Sequence, residues 1–248
     1  MVNPVAVRNL TLGAGRTKII APITGKSLGD ILRQAKLAAD SKADMAEWRA
    51  DYFEGGFDIA ALTSVLRAIR GVIMDMPLIF TLRTAAEGGF ANVSCEDYCG
   101  INSQCAGFGL ADVIDTEVFM SGLDQDLLIK DIHGKNCLAL ASFHDFCKTP
   151  PKAEIINILE KMQSTGCDII KLAVMPKCPE DVLELLSASL SFNRNAKKPL
   201  IAISMGREGA FSRLAGASFS CAAFGRAGQG SEEGQPSVGL LREFILKA

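Results

Sequence analysis

CLALASFHDFCKTPPKAEIINILEKMQSTGCDIIKLAV, residues 137–174, reads as strand, helix, strand. The runs CLALASFH (137–144) and DIIKLAV (168–174) are apolar and of strand length, while KAEIINILEKMQSTG (152–166) between them has apolar residues three and four apart, the spacing of an amphipathic helix. A helix joining two buried strands predicts a parallel pair with a right-handed crossover. The same unit extends in both directions: strand-like runs recur at KIIAPI (18–23), MAEWRAD (45–51), PLIFTLR (77–83), DVIDTEV (112–118), PLIAISM (199–205) and FSCAAFG (219–225), with helical patterning at SLGDILRQAKLAAD (27–40) and FDIAALTSVLRAIRGVI (57–73). Eight strands at this pitch in 248 residues predict an α/β fold that closes into a (β/α)8, or TIM, barrel, for which about 250 residues is usual.

The competing architecture is an open doubly wound sheet. No G-x-G-x-x-G follows the first strand, no G-x-x-x-x-G-K-[ST] occurs, and the nearest approach, GAGRTK (13–18), precedes the first strand, whereas phosphate cradling needs it to follow one. VAVRNLTLGAG (5–15) reads as a short β-hairpin ahead of the barrel, placed to close its lower end. No linker or low-complexity stretch interrupts the chain, so residues 1–248 are expected to form one catalytic domain.

Composition narrows the function. Hydrophobic residues make up 48% and charged residues 22%, the balance of a folded globular chain, and the net charge of -2 supplies no basic field for nucleic acid. The N-terminus MVNPVAVRNLTLGAG lacks a basic segment followed by a long apolar run, and no later apolar stretch exceeds strand length, so a cytoplasmic location without membrane contact is expected. The eight cysteines are scattered, several within apolar runs, and are read as reduced thiols. Cys95, Cys99 and Cys105 lack C-x2-C spacing and a neighbouring His; one side of a helix accounts for them better than a metal site.

In such a barrel the chemistry lies where strands end and βα loops begin. Glu47, Arg49 and Asp51 alternate along the second strand and share a face; the third strand ends in Arg83, with Glu87 in the loop behind it; the fifth ends in His144; the sixth holds Lys171 between Ile170 and Leu172. A salt bridge or a snorkelling side chain explains any one of these alone. Together, at one end of several strands, they point to a site. Lys171 in an apolar strand, with Arg49, Arg83 and Arg213 expected nearby, favours the neutral amine that attacks a ketone to give a Schiff base. His144 suits proton transfer near neutral pH, with Glu87 placed to fix its tautomer. The other histidine, His133, sits in the polar stretch KDIHGKN and reads as a solvated helix end.

Six motifs, EWRAD (47–51), PLIFTLRTAAEGG (77–89), SFHDFCKTP (142–150), IIKLAVMP (169–176), ISMGREGAFSRLAG (203–216) and SEEGQ (231–235), run in order along nearly the whole chain. In these the sequence resembles the type I 3-dehydroquinate dehydratases of the shikimate pathway. The resemblance implies a hydro-lyase that takes 3-dehydroquinate to 3-dehydroshikimate and water by syn elimination, with no metal or organic cofactor, in a homodimer. It implies that Lys171 carries the imine, His144 is the general acid and base, and Glu87 holds His144. It implies further that Glu47, Arg49 and Arg83 grip the ring hydroxyls, Met205 packs on the ring, Arg213 pairs with the substrate carboxylate, and Ser231 and Gln235 belong to a lid. Many relatives have S-A-P-G-Q where this chain has Ser231-Glu232-Glu233-Gly234-Gln235, and a small hydroxyl residue near Ala21-Pro22. Two other readings fit a lysine-bearing barrel: a sugar-phosphate aldolase, with Gly206 and Gly209 as a phosphate nest, and a non-catalytic metabolite-binding barrel.

Overall fold

A computed structural model of the chain describes residues 2–215, 219–228 and 234–247. Eight parallel strands follow one another around a nearly closed barrel: β3 (Lys18–Ile23), β4 (Met45–Arg49), β5 (Leu78–Thr81), β6 (Val113–Glu117), β7 (Leu138–Asp145), β8 (Ile169–Val174), β9 (Leu200–Ser204) and β10 (Ala222–Phe224), with β10 beside β3. At the seam between β9 and β10 the Cys221 N–H donates to the Leu200 carbonyl at 2.7 Å. Ahead of the barrel, β1 (Val5–Val7) and β2 (Leu10–Leu12) form the expected antiparallel hairpin. Buried Val7 and Leu12 pack with Ile20, Met45, Ile79, Val113, Leu140, Ile169 and Ile201, the inward residues of the strands' first halves. The hairpin therefore stoppers the lower end with hydrocarbon.

Helices cover the outside: α1 (Leu28–Asp40), α2 (Ile59–Ile73), α3 (Cys95–Gly107), α4 (Gln125–Gly134), α5 (Lys152–Ser164), α6 (Pro179–Asn193) and α7 (Val238–Lys247). Their starts are marked by side chains that satisfy otherwise orphaned N–H groups: Ser27 accepts from Asp30 N, Asp58 from Ala60 N and Ala61 N, and Ser94 from Asp97 N. Between strands and helices lies the larger apolar layer, where outward Trp48 meets Phe80 edge-on at 5.6 Å and packs with Leu66 and Ile69. Alternation thus sends Trp48 outward and its neighbours Glu47 and Arg49 inward. Cys95, Cys99 and Cys105 all lie on α3, as their spacing predicts. His133 lies in the last turn of α4, where its Nε2 meets Asp168 at 2.8 Å.

Two boundaries depart from the sequence pattern. The second strand stops at Arg49, and Ala50–Tyr52 turns into a 3-10 helix, so Asp51 folds back instead of continuing the inward face. Behind β9 the described chain forms no α-helix but the 3-10 turn Glu208–Arg213, where the Gly209 backbone lies against the Ser204 carbonyl so closely that a Cβ would stand 2.2 Å from it. No helix among the described residues is long and apolar enough to cross a membrane.

Candidate active site

At the C-terminal end of the strands the inward residues turn from hydrocarbon to charge. Lys171 on β8 is buried, its side chain 6% exposed, and its Nζ donates to Glu47 Oε1 of β4 at 2.9 Å and to Asp115 Oδ2 of β6 at 3.1 Å. The sequence led us to expect arginines around this amine. The structure puts two carboxylates on the nitrogen and keeps the arginines behind them, because Asp115, which alternation turns inward on β6, two strands from β8, reaches under the lysine. The Phe224 ring lies 4.7 Å from the same nitrogen, close enough for a cation–π contact.

Arg83 ties this layer together. Its Nη2 donates to Asp115 Oδ2 at 2.7 Å, and its Nη1 to Glu117 Oε1 at 3.0 Å and Ser142 Oγ at 2.9 Å. Ser142 in turn donates to Asp115 Oδ1 at 2.5 Å, and Glu117 accepts from Thr84 N and Thr84 Oγ1. Buried charges persist when every member is paired in this way. Burial works against the Arg83 charge, but Asp115, Glu117 and Glu87 outweigh it and hold the guanidinium above its ordinary value. Burial likewise pushes Asp115 up, and Arg83, Lys171 and Ser142 overcome that, so its carboxyl lies below its ordinary value.

His144 closes the site from β7, the strand beside that of Lys171. Its Nδ1 lies 2.8 Å from Glu87 Oε2, and that oxygen also accepts from the His144 backbone N–H at 3.1 Å and from Arg83 Nη1 at 3.5 Å. Donors converge on one oxygen, so Nδ1 is assigned the hydrogen and Nε2 is left with its lone pair. Burial raises the Glu87 carboxyl to about 8 despite the opposing pull of Arg83. Burial first, then the charges of Arg83, Lys171 and Arg49, depresses His144 well below its usual range. At neutral pH the imidazole is therefore uncharged and able to accept a proton.

Around the mouth, Arg49 forks onto Asp51, with Nε to Oδ1 at 2.8 Å and Nη2 to Oδ2 at 2.9 Å, and lies 4.9 Å over the Tyr52 ring. Burial opposes the Arg49 charge, yet the Asp51 contact prevails and holds it raised. Asp51 thus orients the arginine. Arg213 is buried and donates to the carbonyls of Ser204 (3.0 Å) and Gly234 (3.4 Å). One cavity gathers Glu47, Arg49, Arg83, Glu87, His144, Lys171, Met205, Arg213 and Gln235, along with Pro22, Phe146 and Phe224. Every expected site residue that the structure describes therefore faces one space; Ser231, with Glu232 and Glu233, lies outside the described residues.

The type I 3-dehydroquinase family model matches residues 19–246. The chain belongs to the type I 3-dehydroquinase family. Among the relatives of this family, the 3-dehydroquinate dehydratase of Klebsiella pneumoniae is 42% identical over 247 residues, covering 99% of this chain and 98% of the relative. That of Bacillus licheniformis is 43% identical over 243 residues, covering 97% and 96%. A solved type I 3-dehydroquinate dehydratase from Clostridium difficile, with covalently modified comenic acid, superposes with a TM-score of 0.94 at 40% identity, covering 99% of this chain and 97% of that one. Enzymes of the type I 3-dehydroquinase family are hydro-lyases.

Within this type I 3-dehydroquinase site the motif reading did not single out Asp115, Glu117, Thr81, Ser142 or Phe224. A signal for the first two was present: Asp115 and Glu117 alternate along DVIDTEV as Glu47 and Arg49 do along MAEWRAD. A pair of acids two apart in a strand buried on both faces marks an inward polar layer as clearly as the pair that was noticed.

Proposed function

We propose that the chain dehydrates 3-dehydroquinate to 3-dehydroshikimate through an imine on Lys171. The observation that carries this reading is one cavity lined at once by a buried primary amine and by a neutral imidazole backed by a carboxyl group. Lys171 condenses with the C3 ketone and releases water. The iminium draws electrons from the ring and acidifies the C2–H; His144 Nε2 removes that proton and delivers one to the departing C1 hydroxyl on the same face, a syn elimination. Water then hydrolyses the imine and frees the conjugated enone. Glu87 keeps the imidazole in the reactive tautomer.

Glu47, Arg49 and Arg83 hold the ring hydroxyls and order the site, Met205 packs on the ring, and Arg213, whose planar fork suits a carboxylate, takes the substrate anion. Gln235, which lines the cavity, belongs to the covering segment. The covalently modified ligand in the Clostridium difficile relative accords with a covalent step. The test is to incubate the protein with 3-dehydroquinate and borohydride, expecting by mass spectrometry a reduced adduct on Lys171. Lys171→Ala should lose both adduct and turnover, and near-wild-type turnover in that variant would end the imine mechanism. His144→Ala should still be trapped while producing enone absorbance very slowly.

A further inference from the structure

The Lys171 nitrogen has two carboxylate partners, and they are not equivalent. Glu47 Oε1, at 2.9 Å, belongs to a side chain that lines the cavity, whereas Asp115, at 3.1 Å, is not among the described residues lining it and is 1% exposed. Asp115 is also pinned by Arg83 at 2.7 Å and by Ser142 at 2.5 Å. Glu47 has one further partner among those described, the Thr81 hydroxyl at 3.0 Å.

Imine formation changes what the nitrogen can donate. The balance is R–NH3+ plus O=C giving R–NH+=C plus H2O: two of the three ammonium protons leave with the carbonyl oxygen as water, and one stays. A nitrogen that held two carboxylates can then hold one. We infer that the iminium of Lys171 keeps Asp115 as its fixed counter-ion and releases Glu47 to the substrate. Asp115 is locked and out of the substrate's reach; Glu47 faces the cavity and is free to turn towards a hydroxyl of the ring. A single N–H directed at a fixed oxygen also sets the plane of the C=N bond, and with it the face of the ring offered to His144. Phe224, 4.7 Å from the nitrogen, supports the positive charge from β10.

Among the described residues, the titratable and charged groups around this nitrogen are Glu47 and Arg49 from β4, Arg83 from the end of β5, Glu87 from the turn behind it, Asp115 and Glu117 from β6, His144 from β7 and Arg213 from the turn behind β9. Asp115 and Glu47 are the carboxylates in contact with it among the described residues.

The inference rests on the imine reading, and the test separates the two. Wild-type protein, Asp115→Asn, Ser142→Ala and Glu47→Gln are incubated with 3-dehydroquinate and cyanoborohydride, which reduces the protonated imine, across a range of pH, and the Lys171 adduct is measured by mass spectrometry. With Asp115→Asn the alkaline midpoint of trapping should fall by about 1–3 pH units, the effect of losing an opposite charge at contact distance, and the alkaline limb of kcat should move with it. Glu47→Gln should leave the midpoint in place and raise KM. Ser142→Ala removes a donor that calms the Asp115 charge and should raise the midpoint; it serves as the test if Asp115→Asn does not fold. No adduct in wild-type protein refutes the imine itself. An adduct in wild-type protein with an unmoved midpoint in Asp115→Asn, or in Ser142→Ala where that variant decides, or with the shift in Glu47→Gln instead, overturns the inference.

Discussion

Burial together with the cations Arg83, Lys171 and Arg49 holds His144 well below its usual range, so its imidazole stays neutral as the solution is acidified through pH 7. The acid limb of kcat/KM is expected to lie below the ordinary histidine value of about 6.5; a pH–rate profile that already falls above it would remove His144 as the base. Glu87 shifts the other way, raised to about 8 chiefly by burial. A carboxyl raised on folding contributes stability that is complete below its unfolded value and lost as pH rises through the folded one. Glu87→Gln, which cannot ionise, should therefore gain Tm relative to wild type as pH is raised from about 5 to about 9, and a constant difference across that range would contradict the shift. His144, being depressed, loses its contribution on the acid side of about 6.5, so the two effects overlap between the unfolded Glu value of about 4.3 and about 6.5, and the change from about 6.5 to about 9 reports Glu87 alone. These partners were legible in part. Sequence singled out His144 and Glu87, but the convergence of three donors on Glu87 Oε2 depends on a loop folding back over a strand end.

That loop is an element in its own right. From Arg83 to Ala91 it closes on itself: Ala91 N donates to the Arg83 carbonyl, Ala85 N to the Ala91 carbonyl, and Gly89 N to the Thr84 carbonyl at 2.8 Å. A Cβ on Gly89 would sit 2.1 Å from the Arg83 carbonyl oxygen, so Gly89→Ala must open the loop and displace Glu87. Steady-state kinetics should show kcat reduced roughly 10–100-fold, the scale of an ångström-sized misplacement of a catalytic group, with secondary structure by circular dichroism intact. Beyond the loop, Ser94 caps α3, and Ser94→Ala should cost about 1 kcal/mol in urea unfolding. A comparable close approach lies on the opposite side of the mouth, where Gly234, at a φ of 79°, would place a Cβ 1.9 Å from the Gly206 carbonyl and presents its own carbonyl to Arg213. Only a residue without a side chain fits there. The GG and GQ motifs could be read from the sequence; the backbones they press against could not.

At the scale of the molecule the barrel is divided into a hydrocarbon lower half and a charged upper half, and the two should respond separately to mutation. Leu12 is 1% exposed in the apolar plug beneath the strands. Leu12→Ala should lower the free energy of unfolding by about 2–5 kcal/mol, measured by chemical denaturation, while kcat and KM stay at wild-type values. A large change in KM would mean that the plug shapes the cavity above it. The division follows from alternation within each strand: Ile20, Met45, Ile79, Val113, Leu140 and Ile169 share the inward face with Pro22, Glu47, Thr81, Asp115, Ser142 and Lys171, each two residues further on.

Sequence by itself determined the eight strands, the helical crossovers it could mark by period, the hairpin at the base and the strand-end residues that carry charge, because each is written in the spacing of neighbours a few residues apart. Tertiary structure alone decided which of those residues meet. Lys171 finds Glu47 from 124 positions away and Asp115 from 56, and these meetings follow from the register of each strand pair, such as Ser142 against Lys171 and Thr81 against Asp115, summed around a closing barrel. A shift of one residue in any register would turn that strand's polar face to the helices. Local spacing carries no record of that sum.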